Sequence, residues 1–170
     1  MNSIMDWPHE DTPALNAFYG DPRGNNGDAS ATWQAENLVH WVPPYPMFYS
    51  DGQHTPMLHL RVHKKCLETF NAAFGDVLST IGMDRIRHLR LDTTGGTFCY
   101  RPERGGSRLS VHSWGCAIDM DPGHNPFPHR WVGGGEMIDP QFAEILQKHG
   151  FCWRGAHGDI DPMHFQLCRH

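Results

Sequence analysis

Apolar residues recur at helical spacing in two stretches of the chain. Between His63 and Gly82 they follow an i, i+3, i+4, i+7 pattern, which predicts an amphipathic helix with Gly82 at its C-terminal cap. A second helix is predicted from Pro140 to His149. There, Asp139 can cap the first turn and Gly150 can end the last one.

Short apolar or alternating runs outside these helices predict strands. The predicted strands are Ile86–Leu91, Thr97–Tyr100, Leu109–His112, Cys116–Met120, Phe151–Trp153 and Met163–Cys168. The last segment could instead begin a helix after Pro162, but its alternation favours a strand with His164 and Gln166 on one face. Helices packed on a small antiparallel sheet predict an α+β fold.

Residues 1–56 differ from the rest, being rich in Pro, Gly, Asn and aromatic residues. We predict that they form an extended, turn-rich segment packed on a core of residues 57–170, within a single domain spanning residues 1–170. The rings expected to make this contact are Trp7, Phe18, Tyr19, Trp33, Trp41 and Phe48.

The composition excludes several classes of function. The net charge is −5 and no basic stripe is present, which argues against general nucleic-acid binding and against attachment to anionic membranes. Five cysteines without a Cys-x-x-Cys pair do not indicate a disulfide framework or a zinc ribbon. No apolar run reaches the roughly 18 residues that membrane insertion requires. The first residues lack the basic and apolar regions of a secretory signal, so we expect synthesis in the cytoplasm.

Two short stretches carry candidate metal chemistry, "SVHSWGCAIDMD" at 110–121 and "DIDPMHF" at 159–165. If the fold brings His112, Asp119 and His164 together, they make a three-ligand set that leaves one position of a tetrahedral zinc open to water. From spacing alone, core histidines and a turn carboxylate explain the same residues.

Asp161 is the candidate general base. Pro162 breaks the strand pattern, so Asp161 can sit in a bend and reach the attacking water without ligating the metal. Asp159 is the alternative for the same role.

The two stretches together resemble a known family. "SVHSWGCAID" followed by "DPMHF" is similar to the zinc peptidases that cleave peptidoglycan stem peptides, namely D-alanyl-D-alanine carboxypeptidases and dipeptidases and L-alanyl-D-glutamate endopeptidases, many of them phage endolysins. The family pattern is Ser-x-His-x-x-Gly-x-Ala-x-Asp, then acid-x-x-His. It is matched by Ser110, His112, Gly115, Ala117, Asp119, Asp161 and His164. The resemblance covers about residues 85–168 and is strongest to bacteriophage members.

The resemblance implies roles for these residues within a catalytic core at 57–170. It implies one zinc ion per chain bound by the two histidines and Asp119, Asp161 as the catalytic base, and Arg101 as the residue that stabilises the oxyanion. Arg104 and Arg108 are alternatives to Arg101.

Three further residues are candidates for binding substrate. Ser110 can hold the substrate or fix its own loop, and Trp114 and Trp153 can line a groove or simply belong to the core. The family often carries Trp-Gly-Gly before its last motif, whereas this chain has Trp153–Arg154–Gly155. We expect His124, His129 and His157 to be exposed loop residues.

The resemblance implies a zinc-dependent peptidase that hydrolyses peptidoglycan stem peptides, most specifically an L-Ala–D-Glu endopeptidase. The alternatives are a D-Ala–D-Ala carboxypeptidase and a non-catalytic zinc-binding phage module on the same scaffold. The expected partner is the stem peptide, in the periplasm or outside the cell. A holin or another export partner would then release the protein.

Overall fold

The computed structural model describes residues 6–170, apart from the side chain of His157. Its helices are α1 (Thr12–Tyr19), α2 (Ala31–Asn37), α3 (Leu67–Ile81), α4 (Met83–His88) and α5 (Pro140–Lys148). Its strands are β1 (Leu38–Trp41), β2 (Met47–Tyr49), β3 (Pro56–Met57), β4 (Leu60–His63), β5 (Thr93–Gly96), β6 (Ala117–Met120), β7 (Cys152–Trp153) and β8 (His164–Gln166). The predicted α+β class is confirmed.

The main sheet has six strands in the order β3-β2-β5-β6-β8-β7. The sheet is antiparallel, as predicted, except that β2 and β5 run parallel to each other. Strands β1 and β4 form a separate antiparallel pair. The register places Asp119 of β6 directly opposite His164 of β8, so two candidate ligands meet inside the sheet.

The hydrophobic core lies between the sheet and helices α3 and α5. Phe142 of α5 makes edge-to-face contacts with Phe74 of α3 and with Phe165 of β8. Phe70 of α3 packs edge-on against Phe151. Each of these rings is almost fully buried. The strand that carries His164 is therefore supported from behind by packed aromatic rings.

Both predicted long helices are confirmed. Helix α3 follows a short 3₁₀ turn, and the backbone N–H of Gly82 donates to Leu78 at its end. Helix α5 begins as expected, because the Asp139 carboxylate accepts the N–H groups of Gln141 and Phe142. None of the described helices combines the length and the apolar character that crossing a bilayer requires.

The expectation that residues 1–56 are extended is wrong for α1 and α2. Each helix begins at a side chain that accepts an N–H group of its first turn, Asp11 from Ala14 and Ser30 from Trp33. The predicted aromatic contact is present, with most of those rings buried; they include Trp7, Tyr19, Trp33 and Trp41. The division into residues 1–56 and 57–170 stays a prediction.

Two predicted strands are helical instead. Residues 86–88 belong to α4, because the chain restarts after Gly82 with a hydrogen bond from the Ile86 N–H to the Gly82 carbonyl. The predicted strand Leu109–His112 becomes a 3₁₀ turn, Val111–Trp114, closed by the Ser113 N–H on the Ser110 carbonyl.

The predicted strands Cys116–Met120, Phe151–Trp153 and Met163–Cys168 are present but shortened. The predicted strand Thr97–Tyr100 is wrong: these residues are irregular, and the strand lies just before them at Thr93–Gly96, where its pairing with β6 is interrupted by a bulge. A side chain at Gly95 would come within 3.2 Å of Asp119 Cβ. Glycine at this bulge therefore lets the backbone pass close to the candidate ligand.

Candidate metal centre and active site

Three potential ligand atoms converge on one point at the edge of a cavity. His112 Nε2 lies 3.2 Å from Asp119 Oδ1 and 3.1 Å from His164 Nδ1. Asp119 Oδ1 and His164 Nδ1 lie 3.0 Å apart. This is the one cluster of metal-ligand residues found in the described part of the chain. Ligand atoms at ~2.0–2.1 Å from a tetrahedral zinc lie roughly 3.3 Å apart, so these spacings fit one ion.

Each histidine is held from behind by a hydrogen-bond acceptor. The Thr97 carbonyl lies 2.5 Å from His112 Nδ1, and Gln166 Oε1 lies 2.9 Å from His164 Nε2. A ring nitrogen that donates to these oxygens leaves the other nitrogen with a free lone pair. Both free lone pairs then point at the Asp119 carboxylate, the arrangement expected of metal-ligating histidines.

The electrostatics of this cluster favour a positive charge between the ligands, which either protons on the histidines or a metal ion can supply. Burial alone would raise the pKa of Asp119, but the charges and hydrogen bonds of the two histidines lower it well below its ordinary value. Burial would lower the pKa of His164, but its hydrogen bond to Asp119 raises it. A carboxylate and two imidazoles therefore fit a divalent cation, which satisfies all three at once.

Local structure explains how His112 reaches the site although it is not on a strand. The 3₁₀ turn that carries it ends at Gly115, whose φ of 69° is left-handed. A Cβ at Gly115 would meet Leu38 Cδ2 at 2.9 Å and the His63 backbone nitrogen at 3.0 Å. The family pattern's Gly is therefore needed here both for its conformation and for its size.

Asp161 sits in the bend before β8, as predicted. Its side chain lines the same cavity as the three candidate ligands, and its Oδ1 has no hydrogen-bond partner among the described residues. Burial raises its pKa above the ordinary value. Asp161 is thus a half-buried residue with one buried carboxylate oxygen that has no partner among the described residues, in the cavity that holds the ligand cluster. Asp159, its rival, lines the cavity too but is held by Arg154 at 2.7 Å.

The cavity has a volume of about 270 Å³ and is rich in arginine. Arg101, the predicted oxyanion residue, lines it and donates to the carbonyl of its neighbour Pro102 at 3.2 Å. Arg104 lies 5.4 Å from the centroid of the Phe127 ring. Neither has a carboxylate partner among the described residues, unlike Arg108, which pairs with Glu103. Arg101 and Arg104 are therefore available to a ligand.

The structure brings one of the three predicted substrate-binding residues to the cavity. Ser110 lines it and is buried, and its N–H donates to the Arg101 carbonyl at 3.0 Å. Trp114 is fully buried and its Nε1 lies 3.0 Å from the Gly20 carbonyl. Trp153 lies outside this cavity and donates to the Pro162 carbonyl at 2.8 Å. Both tryptophans therefore make structural hydrogen bonds, and Trp153 holds the bend that carries Asp161; their role in substrate binding stays a prediction.

The loop histidines are placed differently from one another. His129 is exposed as expected, whereas His124 is half-buried and lies 2.9 Å from a carboxylate oxygen of Asp121. Asp121, expected to be an ordinary loop acid, is 3% exposed and pairs with Arg90 at 3.0 Å. The side chain of His157 lies outside the described residues.

Sequence reasoning missed residues that support the ligands. Thr97 and Glu10 had no recognisable signal, because one contributes a backbone carbonyl and the other is about 100 positions from the motif. Gln166 had a partial signal, since strand alternation placed it on the same face as His164.

One comparison with known proteins bears on this geometry. Residues 104–167 match the protein-family model described as D-alanyl-D-alanine carboxypeptidase. Over these residues, the match confirms the family predicted from the sequence. The matched region contains four of the residues around the cluster, His112, Asp119, Asp161 and His164, so this part of the chain is a peptidase region of that family. Searches of curated proteins and of solved structures found no match.

Proposed function

We propose that the protein is a zinc-dependent endopeptidase that hydrolyses the L-Ala–D-Glu bond of peptidoglycan stem peptides. The observation that carries the proposal is the convergence of His112 Nε2, Asp119 Oδ1 and His164 Nδ1, with spacings of 3.0–3.2 Å. These three side chains would hold one zinc ion, which would activate a water molecule and polarise the scissile carbonyl.

Asp161 acts as the general base in this proposal. Its free Oδ1 and its raised pKa suit a group that accepts a proton from the attacking water and then releases it to the leaving amine. The departing amine leaves with that proton, so Asp161 returns to its ionised state at the end of each cycle.

Arg101 stabilises the oxyanion that forms at the scissile carbonyl. Its guanidinium lines the cavity and has no carboxylate partner among the described residues, so its charge is available to the reacting group. Arg104 provides a second cation in the same wall. Two such arginines complement a substrate that carries carboxylates, among them that of D-Glu.

A second candidate is D-Ala–D-Ala carboxypeptidase activity, which the description of the matching family supports. The same two arginines suit the C-terminal carboxylate of that substrate. The proposed base is Asp161, and an Asp at this position is similar to the endolysin-like branch of the family, which favours the endopeptidase. As an endopeptidase of this kind, the protein acts on the cell wall after release by a holin or another export partner.

Mass spectrometry of muropeptides digested with the purified protein tests these candidates. L-Ala–D-Glu cleavage separates the stem peptide after its first residue, whereas carboxypeptidase activity removes only the terminal D-Ala. A chelator and the His164→Ala variant should each abolish the cleavage, and the variant should also lose its zinc. Unchanged muropeptides with bound zinc would contradict both activities and favour a non-catalytic module.

A further inference from the structure

Glu10 reaches the ligand cluster from the other end of the chain. Its side chain is 11% exposed and lines the cavity. The Glu10 carboxylate accepts hydrogen bonds from Gln166 Nε2 at 2.7 Å and Arg154 Nη1 at 2.8 Å. Arg108 contacts its other oxygen at 3.2 Å. The peptidase motif contains no residue that would predict this acid.

Gln166 connects Glu10 to a candidate ligand. Its Nε2 donates to Glu10, and its Oε1 lies 2.9 Å from His164 Nε2. The contacts run in one line from Glu10 through Gln166 to His164. The far nitrogen of that ring, Nδ1, is the one that faces Asp119.

The two ends of a glutamine amide differ chemically, and the acceptors around Gln166 Nε2 decide which end faces the histidine. Glu10 is the nearer acceptor at 2.7 Å, and the Cys168 carbonyl lies at 3.4 Å. An ionised carboxylate can only accept hydrogen bonds, so the amide must turn its NH₂ group toward Glu10 and its oxygen toward His164. Burial would raise the pKa of Glu10, but the Gln166 hydrogen bond and the charge of Arg154 lower it below the ordinary value. Glu10 is therefore ionised at neutral pH.

The orientation of the amide in turn fixes the histidine tautomer. An oxygen facing His164 Nε2 requires a proton on Nε2, which leaves the Nδ1 lone pair free for a metal. An NH₂ group in that place would favour the opposite tautomer, with its proton on Nδ1 where the metal must bind.

We propose that Glu10 is a positioning residue for the metal centre: through Gln166 it holds His164 in the tautomer that binds zinc. This proposal rests on the proposed metal site. It means that residues outside the matched region 104–167 complete the site. The segment is held in place by the Glu10 N–H, which donates to the Arg169 carbonyl at 2.8 Å.

Zinc affinity measured by chelator competition tests the proposal, with Glu10→Gln as the variant and Glu103→Gln as its matched control. Both changes remove one negative charge from the cavity wall, and both acids contact Arg108, but Glu103 has no contact with Gln166. We expect Glu10→Gln to weaken zinc binding by about tenfold, as is typical for outer-shell partners, and Glu103→Gln to bind as the wild type does. Equal affinities of the two variants would overturn the proposal.

A double-mutant cycle shows whether Glu10 acts through Gln166. Gln166→Met should also weaken zinc binding, and Glu10→Gln should add nothing further in that background. Additive losses would mean that Glu10 acts only through its charge, which contradicts the proposal. If Glu10→Gln does not fold, Glu10→Asp replaces it, since the shorter side chain keeps the charge but withdraws from Gln166. A wild-type affinity in Glu10→Asp would then contradict the proposal.

The tautomer itself can be observed in the metal-free protein at alkaline pH by ¹⁵N NMR of the histidine rings. In the metal-free protein Asp119 Oδ1, 3.0 Å from Nδ1, competes for the ring proton. We therefore expect a larger fraction of the Nε2–H tautomer of His164 in the wild type and in Glu103→Gln than in Glu10→Gln. An unchanged tautomer overturns the proposal. Neither readout depends on peptidase activity, and failure of the wild type to bind zinc would refute the metal site itself.

Discussion

At the scale of single residues, the environment of Asp161 separates it from the other acids of the cavity. Asp159 and Glu103 are both engaged by arginines, at 2.7 Å in each case. Asp161 is half-buried and keeps one buried oxygen without a partner among the described residues. An unpaired buried carboxylate oxygen lowers stability, and such groups are concentrated at functional sites.

We predict that Asp161→Asn keeps zinc and fold but lowers kcat by about 10²–10⁴-fold, the usual contribution of a general base. The amide is isosteric but cannot accept the proton. Steady-state kinetics on a purified muropeptide and zinc analysis of the same samples check both parts. Asp159→Asn is the control and should retain most activity. A collapse in Asp159→Asn with activity kept in Asp161→Asn would assign the base role to the other acid.

Arg101 and Arg104 are distinguished by a second prediction. An oxyanion gains its charge only in the transition state, so its stabilising residue should affect kcat more than KM. We expect Arg101→Ala to lower kcat by roughly 10²–10³-fold with zinc retained. Arg101→Lys should recover only part of that loss, because an ammonium lacks the planar fork. Near-normal kcat in Arg101→Ala beside a large loss in Arg104→Ala would move the role to Arg104.

At the scale of elements, the 3₁₀ turn Val111–Trp114 determines where His112 points. The turn is closed by local hydrogen bonds, and Gly115 ends it in a left-handed conformation against the backbone of β4. The Gly115 carbonyl also accepts the His63 N–H at 2.8 Å. The position of one ligand therefore depends on a turn that is fixed to the two-stranded sheet.

Two glycine substitutions should act in opposite directions. Gly115→Ala adds a methyl group against Leu38 and the His63 backbone at positive φ, so it should lower the free energy of unfolding by about 1–3 kcal/mol. Gly75→Ala lies within α3 with open space around it and should raise that free energy by about 0.5–1 kcal/mol. Urea unfolding of both variants checks this. Equal and small effects would show that Gly115 is not constrained by its backbone.

The elements differ in how far the sequence could predict them. Helices α3 and α5 were predictable because caps and apolar periodicity agree along 9–15 residues. The stretch before His112 looked like a strand because four residues are too few to distinguish a strand from a 3₁₀ turn, and long-range contacts with β4 decide between them. The ligand residues were predictable from a motif, but Glu10 was not, since no local pattern relates it to β8.

At the scale of the whole molecule, the N-terminal segment is joined to the core by buried polar contacts as well as by rings. Tyr19 at the end of α1 donates its hydroxyl to the Leu167 carbonyl at 2.6 Å, next to β8. The Tyr19 carbonyl lies 3.0 Å from His63 Nε2, and His63 Nδ1 accepts the Lys65 N–H at 3.1 Å. His63 thus needs one protonated and one free nitrogen, which is the neutral ring.

This requirement predicts an acid-sensitive attachment of the segment. Burial lowers the pKa of His63 to about 4, from an ordinary value of 6.5. The unfolded chain therefore takes up a proton at His63 before the folded protein does. Its contribution to the free energy of unfolding is complete above about pH 6.5 and falls as the pH drops toward 4. The loss amounts to about 2 kcal/mol at pH 5. His63→Gln retains a donor and an acceptor but cannot titrate. We expect urea unfolding to show that the free energy of unfolding falls between pH 7 and pH 5 by about 2 kcal/mol more in the wild type than in His63→Gln. Equal losses in the two proteins would mean that His63 is already charged in the folded protein.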